Sequence, residues 1–192
     1  MKEELIIASR NKGKIQEAQE ILNDYNIIPM EDYDLQIEVE EDQDTFEGNA
    51  IKKAETIARI LEGRKCIADD SGIELEYLNG FPGLETKRWL DGTDRERNLE
   101  ILEKLKSVPK EKRNIKFVTA IAVSDGKHTT SAVAEIQGKV AEEVRGENGF
   151  GFDEIFELPN GKTLAEMSSE EKNEISARRK ALELLKEKIV EK

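Results

Sequence analysis

Three short apolar runs separated by two helical repeats limit what the N-terminal part of this chain can become. Leu5-Ile6-Ile7-Ala8 reads as a buried strand, and Ile15 to Leu22 sets Ile15, Ala18, Ile21 and Leu22 on one helical face. Asn26 to Met30 predicts a second strand. Asp44 and Glu47 then predict a capping box for a helix from Thr45 to about Leu61, buried through Ala50, Ala54, Ile57, Ala58 and Leu61. Cys66-Ile67-Ala68 supplies the third strand. A β-α-β-α-β order with right-handed crossovers makes a parallel sheet and brings the turns that follow its strands to one edge.

Two of those turns carry chemistry. The apolar run at Cys66 is expected to stop at Asp69-Asp70, with Ser71-Gly72 as the turn, so that two carboxylates stand at the lip of the sheet, where open α/β folds bind ligands. The other turn is Ser9-Arg10-Asn11-Lys12-Gly13-Lys14. A glycine-containing loop leading into a helix offers N–H groups without intrahelical partners, and Lys12 and Lys14 add positive charge. Ser9 and Asn11 add short polar side chains suited to phosphate oxygens. The spacing is not that of a Walker loop. Taken alone, an ordinary turn with solvated lysines, or an Asp capping its own turn, gives the same pattern.

Farther on, Glu38 to Asp44 is an acidic arm of the kind that is usually solvated. Ile73 to Leu78 alternates like a strand, Asn79 to Gly83 is a turn cluster, and Lys87-Arg88-Trp89 predicts a short helix. Asp94 to Leu105 is amphipathic. Phe117 to Val123 and Thr130 to Ile136 predict a hairpin through Asp125-Gly126, so the sheet becomes mixed. Asn148-Gly149-Phe150-Gly151-Phe152-Asp153 joins two glycines, two aromatic rings and an acid. Glycines permit close backbone approach, and a ring can stack a base. Ser168 and Glu171 predict the box opening one helix from Ser169 to Val190, with Ile175, Leu182, Leu185 and Ile189 as its core stripe. Its basic half holds Lys172, Arg178, Arg179 and Lys180, and helical geometry alone does not pair Lys172 with Arg178.

Composition removes several function classes. The 192 residues suit one domain, or two joined lobes, and the net charge of −12 argues against a duplex nucleic-acid partner. A polyphosphate would need a local cationic pocket and a divalent ion to offset that field. One histidine, His128 in the hairpin turn, rules out histidine metal clusters and makes a histidine-based triad improbable. The single cysteine allows no disulfide framework and suits the cytosol. No apolar run nears the roughly 20 residues of a membrane span, and no signal-peptide pattern opens the chain.

Taken together, the segments IIASRNKGKIQE, TFEGNAIKKAE, IADDSGIELEYLNGFPG, GFGFDEIF and KTLAEMSSEEKNEIS with a following Arg resemble the inosine triphosphate pyrophosphatase family. The resemblance implies an α/β fold, a mixed twisted sheet with flanking helices forming two lobes around a nucleotide cleft, usually as a homodimer. It implies a Mg²⁺-dependent hydrolase that converts ITP, dITP or XTP to the monophosphate and pyrophosphate by water attack at the α-phosphorus. Carried over position by position, Ser9, Arg10, Asn11, Lys12, Gly13 and Lys14 form the triphosphate loop, with Lys53 and Lys87 facing phosphates. Glu41 and Asp70 are the implied metal ligands, with Asp70 the implied catalytic carboxylate and Ser71 a substrate contact. Phe150, Gly151, Phe152 and Asp153 match the base-binding segment, and Lys172 and Arg178 the contacts of the last helix. Ala177 departs from the family's usual histidine, which opens base selectivity to question, and Gly48 stands where an acid is common, leaving Glu47 as the nearest substitute. The other readings are a related pyrophosphatase of different base specificity and a nucleotide-binding module without turnover. The residues leave the general base open, with Asp69 and Asp70 the foremost candidates, and do not show how GTP is excluded.

Overall fold

The fold is that of a computed structural model describing residues 2–33 and 37–190. Strand β1 (Glu3–Ile7), helix α1 (Lys12–Ile21), strand β2 (Tyr25–Pro29), helix α2 (Phe46–Ile60) and strand β3 (Cys66–Leu75) come first. Helix α3 (Asp94–Lys104), strands β4 (Asn114–Ser124), β5 (Thr129–Val140) and β6 (Phe156–Glu157), and helices α4 (Ser169–Ile175) and α5 (Ala177–Val190) complete the described chain. The sheet order is β2-β1-β3-β4-β5-β6, with β1 parallel to β2 and to β3 and β5 antiparallel to β6. The mixed α/β sheet expected from the sequence is the one observed.

The chain divides into two compact units. One comprises Met1–Ser71, Thr119–Ala134 and Ala177–Lys192, the other Gly72–Val118 and Glu135–Ser176. In the first, alternation along β1 does the sorting. Leu5 and Ile7 enter a core with Ala18, Ile21 and Leu22 of the α1 region and Ala181, Leu182 and Leu185 of α5. Ile6 enters a second core with Met30, Ile57, Ala58 and Cys66. Successive strand residues point to opposite faces, so three consecutive apolar residues require cover on both sides. That double cover fixes where β1 and β3 deliver the residues that follow them. In the second unit, Ile73, Leu75, Ile101, Leu105, Ile115, Ile155 and Phe156 are all buried.

Four local expectations are corrected. The strand does not end at Asp69-Asp70: β3 continues through both acids, Ser71 and Gly72 to Leu75. A buried carboxylate is tolerated within a strand when it is hydrogen-bonded, and Asp70 accepts from Asn49. Helix α2 is capped by Thr45, not Asp44; the Thr45 side chain accepts from Gly48 N, and Gly48, having no side chain, cannot close a box. Glu47 instead accepts a hydrogen bond from Ser131 Oγ at 2.6 Å. Lys87 lies in turns after a short 3-10 segment, Gly83–Glu85, and is exposed. The predicted final helix is two helices, broken at Ser176, whose φ −61° and ψ 142° are extended.

Candidate active site

In the first unit, side chains from α1, α2 and α5 meet on β3. Asn11 caps α1 by accepting from Lys14 N at 3.2 Å, and Ser9 Oγ accepts from Asn11 N at 3.1 Å. Two polar side chains of the expected phosphate loop therefore shape its backbone. The Ser9 hydroxyl and the Asn11 amide nitrogen keep their donor hydrogens. The same turn delivers Lys14, whose Nζ lies 2.6 Å from Asp69 Oδ2. Arg178, in the first turn of α5, reaches that same oxygen at 3.2 Å and lies 3.9 Å from Glu17 of α1. Arg178 Nε is buried and has no acceptor among the described residues. The lining beneath Lys14, Asp69 and Arg178 includes Ile7, Ala18, Ile67, Ile121 and Leu182, an apolar floor that strengthens charge interactions above it.

Asp70 points the other way and is 4% exposed. Its Oδ2 accepts from Asn49 Nδ2 of α2 at 2.9 Å and its Oδ1 from Ser71 N at 3.0 Å. Asn49 also accepts from Gln43 N at 3.0 Å, which ties the acidic arm to the helix. One turn along α2, Lys53 pairs with Glu41 and donates to the Asp69 carbonyl at 3.2 Å. The arm is therefore anchored at Glu41, whereas its run of charges alone reads as solvated. Cys66, at the start of β3, is wholly buried, and burial pushes its thiol up to about 12, which removes it as a nucleophile at neutral pH.

In the second unit, the Asn148 to Asp153 segment is organised around Asp153, which is 2% exposed. Its carboxylate accepts from Phe150 N at 2.9 Å and from Lys172 Nζ of α4. Gly149 has φ +79°, and a Cβ there would collide with the Asp153 carboxylate. Phe152 packs inward at 6% exposure, while Phe150 stands out at 59% with Lys172 Nζ 4.6 Å from its ring centroid. Of the two rings, Phe150 is the one available to a planar ligand. Lys87 is exposed in the same unit.

The Ham1 family model matches residues 5–188. The chain belongs to the Ham1 family. It is 41% identical over 195 residues to a dITP/XTP pyrophosphatase of Clostridium perfringens, covering 96% of each chain. It is 42% identical over 188 residues to a dITP/XTP pyrophosphatase of Bacillus subtilis, covering 95% of this chain and 94% of that one. Among solved structures, a Ham1 protein of Staphylococcus aureus matches with TM-score 0.90 at 38% identity, over 98% of this chain and 99% of the other. A Ham1 protein of Coxiella burnetii gives 0.90 at 35%, over 99% and 100%. The resemblance read from the sequence motifs is thus the family found.

Within this Ham1 chain, the structure brings Lys14, Asp69 and Arg178 together, and likewise Glu41 with Lys53 and Asp70 with Ser71. It brings Phe150, Asp153 and Lys172 together in the other unit. Sequence reasoning missed Asn49 and Glu17. A weak helix former directly before a buried alanine position, Ala50, was the available signal for Asn49. As a metal donor set, Glu41 and Asp70 offer hard carboxylate oxygens. Magnesium commonly takes one or two carboxylates and completes its shell with waters and substrate phosphates, and oxygens of this type suit it.

Proposed function

We propose that the chain is a nucleoside triphosphate pyrophosphatase that hydrolyses ITP, dITP and XTP to the monophosphate and pyrophosphate. The observation that carries this is the meeting of three carboxylates and three cations on and beside β3. Lys14 and Arg178 share Asp69, Asn49 fixes Asp70, and Lys53 holds Glu41. The names of the relatives supply the reaction class.

Lys14, Arg178 and Lys53 supply positive charge for the triphosphate, with the Ser9 to Lys14 turn adding N–H and side-chain donors, Arg10 and Lys12 among them. The unpartnered Arg178 Nε–H suits a phosphate oxygen. Glu41 and Asp70 would hold Mg²⁺, which when bound would neutralise phosphate charge. Asp69 is engaged by Lys14 and Arg178, and Asp70 is given the proton from attacking water on the resemblance. In the second unit, Phe150 stacks the base, Asp153 and the Gly151 peptide fix that ring, and Lys172 lies against it. Ser71 and Lys87 are assigned to substrate on the resemblance. The resemblance adds a homodimer in the cytoplasm, with neither nucleic acid nor membrane as partner. The charge of −12 argues against nucleic acid, and no helix among the described residues is long and apolar enough to cross a membrane.

ITP with Mg²⁺ should give IMP and pyrophosphate; release of orthophosphate overturns the reading. A second reading, altered base choice, is favoured by Ala177, which is 3% exposed and offers no donor at the head of α5. Comparing rates on ITP, XTP, GTP, ATP and pyrimidine triphosphates decides between them.

A further inference from the structure

Helix α3 contributes no residue to the site as described so far, yet two of its side chains grip the loop that carries Phe150. Asp94 Oδ2 accepts from Gly151 N at 2.7 Å. Four residues later on the same face, Asn98 Nδ2 donates to Gly151 O at 3.0 Å and to Glu154 Oε2 at 3.1 Å. One helix face thus holds both N–H and C=O of a single glycine residue. Gly151 has φ +65°, a left-handed conformation that places no Cβ against the helix and that other residues rarely adopt.

The grip is built for position more than for stability. Asn98 is wholly buried, and its Oδ1 has no hydrogen-bond partner among the described residues, so the side chain gives up half its bonding capacity to aim both donor hydrogens at the loop. Arg95 reinforces the same segment through Glu154 at 3.0 Å. The residue preceding Gly151 is Phe150, whose own N–H is tied to Asp153. With its N–H held by Asp153 on one side and the next residue held by α3 on the other, the backbone that carries the ring is fixed at both ends.

We propose that Asp94 and Asn98 are positioning residues for the base of the nucleotide, acting through Gly151 and Phe150. This rests on the pyrophosphatase reading above. Neither residue touches the phosphates in this account, so the base and phosphate parts of binding should separate. The test compares wild type, Asp94→Ala, Asp94→Asn and Asn98→Asp by steady-state ITP hydrolysis and by competitive inhibition with inorganic triphosphate, which has no base. Asn98→Asp keeps the shape but sets a carboxylate against Glu154 and the Gly151 carbonyl.

For Asp94→Ala the expected result is a KM for ITP raised about tenfold, the scale of one lost base stack, with kcat falling less than KM rises. Inhibition by triphosphate stays at the wild-type value. Asp94→Asn, which retains an acceptor, restores most of the affinity, and Asn98→Asp shows a larger rise in KM. Asp94 is half exposed, so its loss is not expected to unfold the protein. A wild-type KM in Asp94→Ala, or an equal loss of triphosphate affinity, overturns the positioning role alone. A wild type that cleaves no ITP overturns the pyrophosphatase reading and this role with it.

Discussion

Each unit contains a helical asparagine that is almost wholly buried, Asn49 on α2 at 1% exposure and Asn98 on α3 at 0%, and each holds one carboxylate and one backbone group in a different setting. Asn49 fixes Asp70, among the ion pairs on β3, and an N–H of the acidic arm. Asn98 fixes Glu154 and a backbone carbonyl in the glycine loop that carries Phe150. The first unit therefore organises charge, through ion pairs between elements far apart in the chain. The second organises shape, through backbone bonds that present one ring. A charged phosphate chain and a flat neutral base need these two kinds of preparation respectively.

The sharpest way to break the contrast is at the charge end. Asp70→Asn keeps the volume and removes the charge, and turnover of ITP should fall about 10²- to 10³-fold or more with the circular dichroism spectrum unchanged. Retention of most of the turnover would mean that fixed charge at this position is not what the first unit provides. Next comes Asn49→Leu, which leaves the Asp70 carboxylate and Gln43 N–H without a partner they now have. It should cost about 1–3 kcal/mol in urea unfolding and lower kcat, whereas lesions at Asn98 act on KM. A change in KM alone would merge the two roles.

Smaller effects belong to the shape end. Phe150→Ala should raise KM for ITP about tenfold and leave the urea midpoint in place, because the ring is mostly in solvent. Its KM should keep the wild-type dependence on salt, since removing a neutral ring takes no charge from the cations proposed to face the phosphates. The least effect is expected at Glu166. Its carboxylate accepts from Thr163 N at 2.7 Å, and that bond holds its carboxyl below its ordinary 4.5. A depressed carboxyl contributes stability above its unfolded value and loses it as pH falls through the folded one. Wild type and Glu166→Gln should therefore differ slightly in urea midpoint at neutral pH and converge in acid below 4.5. A gap that persists in acid would show that this turn is held by something other than the carboxylate.

The sequence by itself determined the strand and helix alternation of the N-terminal part, the mixed sheet, the amphipathic faces and the family. These follow from periodicities of 2 and 3.6 and from turn chemistry, which are local. Tertiary structure alone decided the rest. Whether Asp69-Asp70 ends a strand depended on a partner for Asp70, which came from Asn49, 21 residues away. The break at Ser176 carries no glycine or proline to announce it, yet it assigns Lys172 to one unit and Arg178 to the other. The acidic arm reads as solvated until Lys53 pairs with Glu41. For Asp70 and for the acidic arm the deciding energy is a contact between side chains distant in sequence. No local pattern encodes such a contact, because its partner is chosen by packing.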